Sequence, residues 1–181
     1  MIIVGSVRPG RVGLPIAQWV RAAADADERF DVDFVDLAEL GLPFMDEPQH
    51  PAKKQYTKSH TLAWSARVDA ADAIILVSPE YNHSYSPALK NAIDFLSLEW
   101  KHKPVGLVSY GGVSGGSRAG AALDPVLTTV GLVKIATNLE INFVGKRVVD
   151  GAFAPDEKEL AIFERMLVQL DELNVALKPL R

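Results

Sequence analysis

Residues 73–94 read AIILVSPEYNHSYSPALKNAID and predict a buried strand, a polar loop and a helix, in that order. The apolar run 73–77 is short and has no polar face, which is typical of a strand covered on both sides. Pro87 fits the first turn of a helix over 86–98, because that position needs no backbone N–H. A buried strand that leads through a loop into a helix is the basic unit of a parallel α/β sheet.

The same unit recurs along the chain. Strands are predicted over residues 2–4, 30–37, 73–77, 104–109 and 139–144, and helices over 14–28, 56–70, 86–98, 117–130 and 155–177. In the last helix the stripe Leu160, Phe163, Leu167 and Leu170 predicts a core-facing side. The alternation predicts a parallel sheet with helices on both faces. With five strands, we expect a flavodoxin-like three-layer α/β sandwich in the order 2-1-3-4-5, as one domain over residues 1–181.

The composition excludes several classes of site. The 181 residues include no cysteine, which excludes disulfides, thiolate metal sites and a catalytic thiol. Nineteen Lys and Arg against 23 Asp and Glu give a net charge of −4, which argues against nucleic acid or an anionic membrane as the main partner. No apolar run approaches the ~20 residues that span a bilayer. We therefore expect a cytoplasmic protein without a metal.

Parallel sheets of this kind bind ligands at the carboxyl ends of their strands, so three loops are candidates. The first loop, residues 5–13, reads GSVRPGRVG and leads into a helix. Backbone amides at a helix N-terminus, together with Ser6, Arg8 and Arg11, predict a phosphate site. The alternative is a solvated turn whose arginines pair with surface acids. Neither G-x-G-x-x-G nor G-x-x-x-x-G-K-[ST] is present.

The second loop, residues 78–87, reads SPEYNHSYSP and is rich in aromatic and amide side chains. Its proline-stiffened backbone can hydrogen-bond the edge of a planar heterocycle, and Tyr81 or Tyr85 can stack on the face. The alternative is a polar turn that caps the next helix, with Tyr81 half-buried in the core. We interpret His83 as an exposed loop residue. Lys90, Asn91 and Asp94 are expected to cap or pair locally.

The third loop, residues 109–117, reads SYGGVSGGS, and its glycines allow bare amides to approach a ligand closely. Residues 112–116 also match the G-x-S-x-G nucleophile elbow of hydrolases. In that fold the catalytic histidine follows the serine, whereas all four histidines here precede Ser114. We therefore interpret the glycines as a ligand cradle rather than as a nucleophile site.

Taken together, GSVR at 5–8, PEYN at 79–82 with PALKNAID at 87–94, and YGGVSGG at 110–116 resemble the NADPH-dependent FMN reductase family. This family includes flavodoxin-like quinone, azo and chromate reductases. The similarity extends over essentially the whole chain, and its middle motif is the most specific. It implies FMN as cofactor, NADPH or NADH as reductant, and a homodimer or homotetramer with the Pro-rich segment 41–51 in subunit contact.

The resemblance also implies which residues bind FMN. The residues at the phosphate would be Ser6, Arg8, Arg11, Val12 and Gly13; those at the isoalloxazine would be Pro79, Glu80, Tyr81 and Asn82, with Ser109, Gly111, Gly112, Ser114, Gly115 and Gly116 at its other edge. Many members have Ser and Asn where this chain has Arg11 and Gly13. Arg11 is therefore a candidate for the phosphate or for NADPH.

The chemistry implied is hydride transfer from a reduced nicotinamide to FMN and then to a quinone-like acceptor, with ping-pong kinetics and no side-chain acid or base. Two alternatives stay open. One is a flavodoxin-type electron carrier without turnover on small substrates, although such carriers have a Thr-rich first loop and a more acidic surface. The other is a hydrolase built on Ser114, or a plain ligand-binding module.

Overall fold

The computed structural model describes all 181 residues. The strands are β1 (Ile2–Val4), β2 (Phe34–Asp36), β3 (Ile74–Pro79), β4 (Pro104–Tyr110), β5 (Val133–Ile141), β6 (Val148–Val149) and β7 (Ala152–Phe153). The α-helices are α1 (Gly13–Asp25), α2 (Leu37–Leu40), α3 (Ser59–Ala70), α4 (Pro87–Asp94), α5 (Ser117–Val130) and α6 (Glu157–Leu177). Short 3₁₀ turns cover Pro51–Lys53, Leu98–Trp100, Val144–Lys146 and Lys178–Leu180.

Strands β1 to β5 form one parallel sheet in the order β2-β1-β3-β4-β5, which confirms the predicted flavodoxin-like order. All residues of β3 and β4 are buried, as expected for strands that have a neighbouring strand on each side and helices on both faces of the sheet. The order reverses between β1 and β3, because the chain runs from β1 outward to β2 and then returns to the other side of β1. The loops after β1, β3 and β4 therefore meet at one edge of the sheet.

The alternation of side chains along β3 separates two hydrophobic cores. Ile75 and Val77 point into a core shared with α1 and α6, whereas Ile74 and Leu76 point into a core shared with α3, α4 and α5. In the second core the rings of Trp64 and Trp100 lie 6.0 Å apart. These packed layers give the loops at the carboxyl edge a rigid base.

Several predicted boundaries were wrong. The strand expected over 30–37 forms only as Phe34–Asp36, because residues 27–30 make a turn. The strand expected over 139–144 begins at Val133 and ends at Ile141. β5 lies at an edge of the sheet, so half-buried polar residues such as Lys134 are tolerated there and broke the apolar pattern.

Two small elements were not predicted, and one core position was wrong. The hairpin of β6 and β7 has two residues in each strand, too few for a periodic signal. α2 begins at Leu37, and the Asp36 carboxylate caps it by accepting the Ala38 amide at 3.0 Å. In α6, Leu160 is 48% exposed, whereas Phe163, Leu167 and Leu170 are buried as predicted.

Candidate functional site

Three hydrogen bonds made by hydroxyl groups join the first, second and third loops into one surface. The Ser6 and Tyr81 hydroxyl oxygens lie 3.2 Å apart, which links the first loop to the second. The Ser86 hydroxyl makes another link, since it donates to the Gly5 carbonyl at 2.5 Å and caps α4 by accepting the Leu89 amide. The Ser114 hydroxyl donates to Glu80 at 2.8 Å and so links the third loop to the second.

The first loop offers groups suited to an anion. Ser6 is buried, with 2% of its surface exposed, directly beside the start of α1. Arg8 is exposed, and none of the ion pairs that arginines form in the structure includes it. No side chain caps the amino end of α1, whose N-cap residue is Val12. The first-turn amides of α1 therefore remain available to a ligand.

Arg11 is held differently from Arg8. Its guanidinium group forms a two-pronged ion pair with the Asp36 carboxylate, with Nη1 2.7 Å from Oδ1 and Nη2 against Oδ2. Nη1 also donates to the Ser6 carbonyl oxygen. The side chains of Arg11 and Asp36 are only 14% and 1% exposed. The sequence left open that the arginines of this loop pair with surface acids. Arg11 does pair with an acid, but that acid, Asp36, is buried.

The second loop closes in a tight turn after β3. The Tyr81 amide donates to the Ser84 carbonyl at 2.7 Å, and the Ser84 amide donates back at 3.0 Å. Asn82 and His83 form the turn with φ of 50° and 67°, which corresponds to a type I′ turn. Both are exposed, so His83 is a loop-tip residue, as predicted. Tyr81 is half-buried and turns its hydroxyl toward Ser6.

Glu80 is a fixed anion of the second loop. Its carboxylate accepts the Ser114 hydroxyl at 2.8 Å, the Arg118 amide at 3.2 Å and the Arg118 guanidinium at 3.3 Å. Burial opposes ionisation, but these donors outweigh it and hold the pKa of Glu80 below its ordinary value. Ser114 is therefore bonded to a carboxylate and not to a histidine, which gives no support to the nucleophile interpretation of residues 112–116.

The third loop is held by its own contacts. Gly116 has a φ of 91°, and a Cβ there would come within 2.6 Å of the Ser109 Cβ and 2.7 Å of the Tyr110 amide nitrogen. The Ser109 hydroxyl donates to the Gly115 carbonyl at 3.0 Å. In contrast, no atom lies within 4 Å of a Cβ built on Gly112. The loop is thus braced at 109 and 115–116 and open at its tip.

The predicted site residues fall into two groups. Those that make the links between the loops, or are not fully buried, are Ser6, Arg8, Val12, Glu80, Tyr81, Asn82, Gly111, Gly112 and Ser114. Those that brace the surface from within are Arg11, Gly13, Pro79, Ser109, Gly115 and Gly116. Sequence reasoning did not assign Asp36, Ser86, Tyr110 or Arg118 to the site. Only Ser86 carried a signal, as a serine directly before the proline that opens α4.

A phosphate-bearing group fits the first loop. An unpaired arginine, a buried hydroxyl and an uncapped helix end converge there. These donors are the ones that a phosphate needs.

Two cavities do not offer such donors, one away from the three loops and one beside the first and second loops. A cavity of about 750 Å³ lies at the opposite edge of the sheet, around Met1 and Ile2. Its Arg67 is already paired with Asp33 at 2.5 Å. A groove of about 540 Å³ next to the first and second loops is mostly apolar, with Val7, Leu42, Phe44 and Pro87 among its walls. The donor-rich surface is therefore the one at the three loops.

A family model described as NADPH-dependent FMN reductase matches residues 1–144. The chain belongs to this family. It is therefore an oxidoreductase that uses FMN together with a reduced nicotinamide. The family's matched region includes all three loops and all five strands of the parallel sheet.

Individual relatives agree with the family assignment. The chain is 36% identical over 193 residues to an NAD(P)H-dependent FMN reductase of Nectria sp, with 98% of this chain and 96% of the relative covered. It is 29% identical over 147 residues to an NADPH:quinone oxidoreductase of Arabidopsis thaliana, covering 77% of this chain and 68% of that one. In fold it is similar to a flavoenzyme NAD(P)H:(acceptor) oxidoreductase from Paracoccus denitrificans, with a TM-score of 0.77, 24% identity, and 97% and 96% of the two chains covered.

Two further observations concern metals and membranes. The structure contains no group of three or more His, Cys, Asp or Glu side chains arranged to hold a metal ion. None of its helices combines the length and the apolar character that crossing a membrane requires.

Proposed function

We propose that FMN lies across the three loops, with its phosphate in the first loop and its ring system between the second and third. Ser6, Arg8 and the amides at Val12 and Gly13 would hold the phosphate. Residues 79–82 and the open part of the third loop would hold the ring. The observation that carries this placement is the set of hydroxyl links from Ser6 to Tyr81 and from Ser114 to Glu80, which make the loops one surface.

When bound, FMN supplies the two-electron chemistry, accepting a hydride from the nicotinamide and passing it to the acceptor. The chain's own residues bind and orient the reactants. Glu80 is fixed by Ser114 and Arg118, and its pKa lies below the ordinary value, so it stays ionised rather than donating a proton. We therefore propose that the protein's residues position the reactants, with no side chain acting as acid or base.

We infer that both substrates use the same open side of the site. The third loop is braced at Ser109 and Gly116, so access is left at its tip near Gly112 and beside the exposed residues Asn82 and His83. One opening that serves two substrates in turn predicts ping-pong kinetics. A quinone is the acceptor class we propose, because a flat ring can stack where the nicotinamide did, and the Arabidopsis relative carries that name.

The competing function is a flavodoxin-type electron carrier. Such a carrier would bind FMN in the same loops but would not consume NADPH with a small acceptor. The net charge of −4 and the two arginines of the first loop favour the enzyme, because a flavodoxin-type carrier is expected to have a Thr-rich first loop and a more acidic surface. NADPH oxidation that depends on added quinone distinguishes the two.

The placement of FMN is tested by its affinity. We expect flavin released from the purified protein to be FMN. Arg8→Ala should weaken FMN binding by about 1.5–3 kcal/mol, the contribution of a hydrogen bond to a charged group. Arg21→Ala, which removes an exposed arginine paired with Asp25 on α1, is the matched control and should bind FMN like the parent. Equal affinity of Arg8→Ala and the parent would show that the phosphate lies elsewhere.

We also propose that the protein forms a homo-oligomer, a dimer or a tetramer, through the segment 41–51. Phe44 in this segment is 87% exposed. Its backbone is nevertheless fixed, because the Asn91 side chain donates to the Pro43 carbonyl at 2.8 Å and accepts the Met45 amide at 3.0 Å. Pro43 and Met45 beside it are exposed as well, and a contiguous exposed apolar patch is typical of a contact surface.

A further inference from the structure

Phe143, which follows the end of β5 by two residues, has an aromatic ring that the fold itself does not use. The side chain is 58% exposed. It belongs to neither hydrophobic core, and it stacks on no other aromatic ring. An apolar side chain stabilises a fold in proportion to the area that it buries, so this ring contributes little to the stability of the chain.

The backbone at Phe143 is also unfavourable for a bulky residue. It lies in the left-handed region, with φ of 47° and ψ of 36°. Glycine and asparagine adopt this conformation readily, whereas a bulky side chain is rare there. The fold needs a turn at this position, because Asn142 before it contacts the third loop and Val144 after it is buried in the core shared with α1 and α6. Exposure and backbone thus both disfavour phenylalanine, which indicates a role for the ring outside the fold.

Phe143 is fixed beside the tip of the third loop. Its amide donates to the Gly112 carbonyl at 3.2 Å, and the Asn142 side chain donates to the Val113 carbonyl at 2.7 Å. Val113 is itself 70% exposed. The open tip of the third loop, where we place the access for substrates, therefore carries two exposed apolar residues on adjoining backbone. We call Val113 and Phe143 the apolar rim.

The chemistry of the apolar rim suits one of the two substrates. Neither side chain carries a charge or a polar hydrogen-bond donor, so the rim offers nothing to the phosphates of NADPH. A phenyl ring does attract another flat ring, through offset or edge-to-face contact and through the area that both bury. A quinone with a fused aromatic ring is flat and apolar in this way. The rim thus matches the acceptor rather than the reductant.

We propose that the apolar rim binds the acceptor, with the Phe143 ring as the contact that selects quinones carrying a fused aromatic ring. This inference rests on the proposed function, because it takes the quinone and the position of the opening from there. The rim binds the acceptor and takes no part in hydride transfer. Reduction of the bound flavin by NADPH therefore does not depend on it.

The test measures acceptor binding apart from turnover. The dissociation constant of menadione, a naphthoquinone, is determined by calorimetric titration of the oxidised, FMN-loaded full chain without NADPH. Phe143→Asn should weaken menadione binding about fivefold, which corresponds to about 1 kcal/mol, whereas Phe143→Tyr keeps a ring and should bind like the parent. Because asparagine adopts the left-handed backbone readily, Phe143→Asn should be at least as resistant to urea as the parent.

Val175→Asn is the matched control. Val175 is 68% exposed on α6, and its neighbour Asn174 lines the cavity at the opposite edge of the sheet. This variant should bind menadione like the parent. In stopped-flow experiments all variants should reduce their FMN with NADPH at the rate of the parent.

Three results would overturn the inference. Unchanged menadione affinity in Phe143→Asn would do so, as would an equal slowing of flavin reduction by NADPH. If Phe143→Asn dissociates an oligomeric parent in sedimentation equilibrium, the ring is a subunit contact instead. A parent that oxidises NADPH with menadione while Phe143→Asn binds menadione unchanged leaves the proposed function standing. A parent that neither binds nor reduces menadione removes the proposed acceptor class as well.

Discussion

Arg11 and Asp36 illustrate how a charged residue near a ligand site can serve the loop rather than the ligand. Both side chains are largely buried, and the Asp36 carboxylate also caps α2. The Arg11 guanidinium reaches the Ser6 carbonyl, so the ion pair fixes the backbone beside the proposed phosphate position. Each of these charges has lost most of its water on burial, so neither can give up its partner without a large cost in free energy. The pair therefore holds the first loop in one conformation.

We expect Asp36→Ala to lower the free energy of unfolding by about 3 kcal/mol, because it leaves a mostly buried guanidinium without its counter-charge. Urea denaturation of the full chain measures this. Asp33→Ala is the control, since its partner Arg67 is 38% exposed, and an exposed pair contributes about 1 kcal/mol or less. Equal losses in the two variants would contradict the assignment of Arg11–Asp36 as a buried structural pair.

For single residues, the sequence indicates which side chains carry charge or hydroxyl groups, but it does not indicate which residue each of them contacts. Ser6 is buried and Arg8 is exposed and outside every ion pair, so the anion site at these residues stays a prediction. The acid that binds Arg11 lies at the end of β2, and no local pattern links positions 11 and 36. Tyr110 belongs to the YGGVSGG motif, but only the folded structure shows that its hydroxyl lies against the start of α1.

Among the elements, α3 obtains its amino-terminal cap from a distant segment. Its N-cap residue Lys58 makes no capping side-chain bond. The Glu47 carboxylate instead accepts the Thr57 and Lys58 amides, each at 2.9 Å, and the Thr57 hydroxyl at 3.0 Å. These bonds anchor the Pro-rich segment 41–51 to the helix. They also place a negative charge at the positive end of the helix dipole.

This cap should make stability depend on pH. Burial opposes ionisation of Glu47, but the bonds from Thr57 and Lys58 outweigh it and lower its pKa from 4.5 to about 2. The unfolded chain therefore binds the proton more tightly, and the stabilisation is complete above pH 4.5 and lost as the pH falls toward 2. Glu47→Gln should flatten the pH dependence of the unfolding free energy in this window.

The control for Glu47→Gln is Glu28→Gln, which changes an exposed glutamate that makes no hydrogen bond in the structure. Urea unfolding at pH 2.5–4.5 should show the parent's pH dependence in the control. The account of the cap would be wrong if the two variants behaved alike.

The elements differ in how far the sequence determines them. β3 carries a uniform apolar run, and α5 spans Ser117–Val130 as predicted. α4 begins at Pro87, as its start signal indicates, but it ends at Asp94 rather than at residue 98. β5 was predicted too short because its polar residues lie at an edge of the sheet, where a broken pattern is tolerated. The order of the strands followed from their alternation with helices, since right-handed crossovers leave few arrangements.

At the scale of the whole molecule, the absence of cysteine and a modest net charge of −4 limit how the protein can work. No thiol of the chain can carry electrons, and FMN is the redox cofactor of the family to which the chain belongs. The overall surface repels anions, so Arg8 and the amino end of α1 must provide the local attraction for a phosphate.

The proposed oligomer gives a prediction at the same scale. Phe44→Ser should shift the protein toward the monomer in sedimentation equilibrium, because it removes a largely exposed apolar side chain from the proposed subunit contact. Leu180→Ser, which changes another exposed apolar residue near the end of the chain, should leave the distribution unchanged. A parent that is monomeric at micromolar concentration would contradict the proposal.

The most direct test of the enzymatic account is a two-substrate kinetic analysis. Initial rates of NADPH oxidation are measured at several fixed concentrations of a quinone, with the FMN-loaded protein. One shared opening at the three loops predicts parallel lines in double-reciprocal plots, with no oxidation of NADPH beyond a single turnover when the quinone is left out under anaerobic conditions. Intersecting lines, or no quinone-dependent turnover at all, would contradict the account.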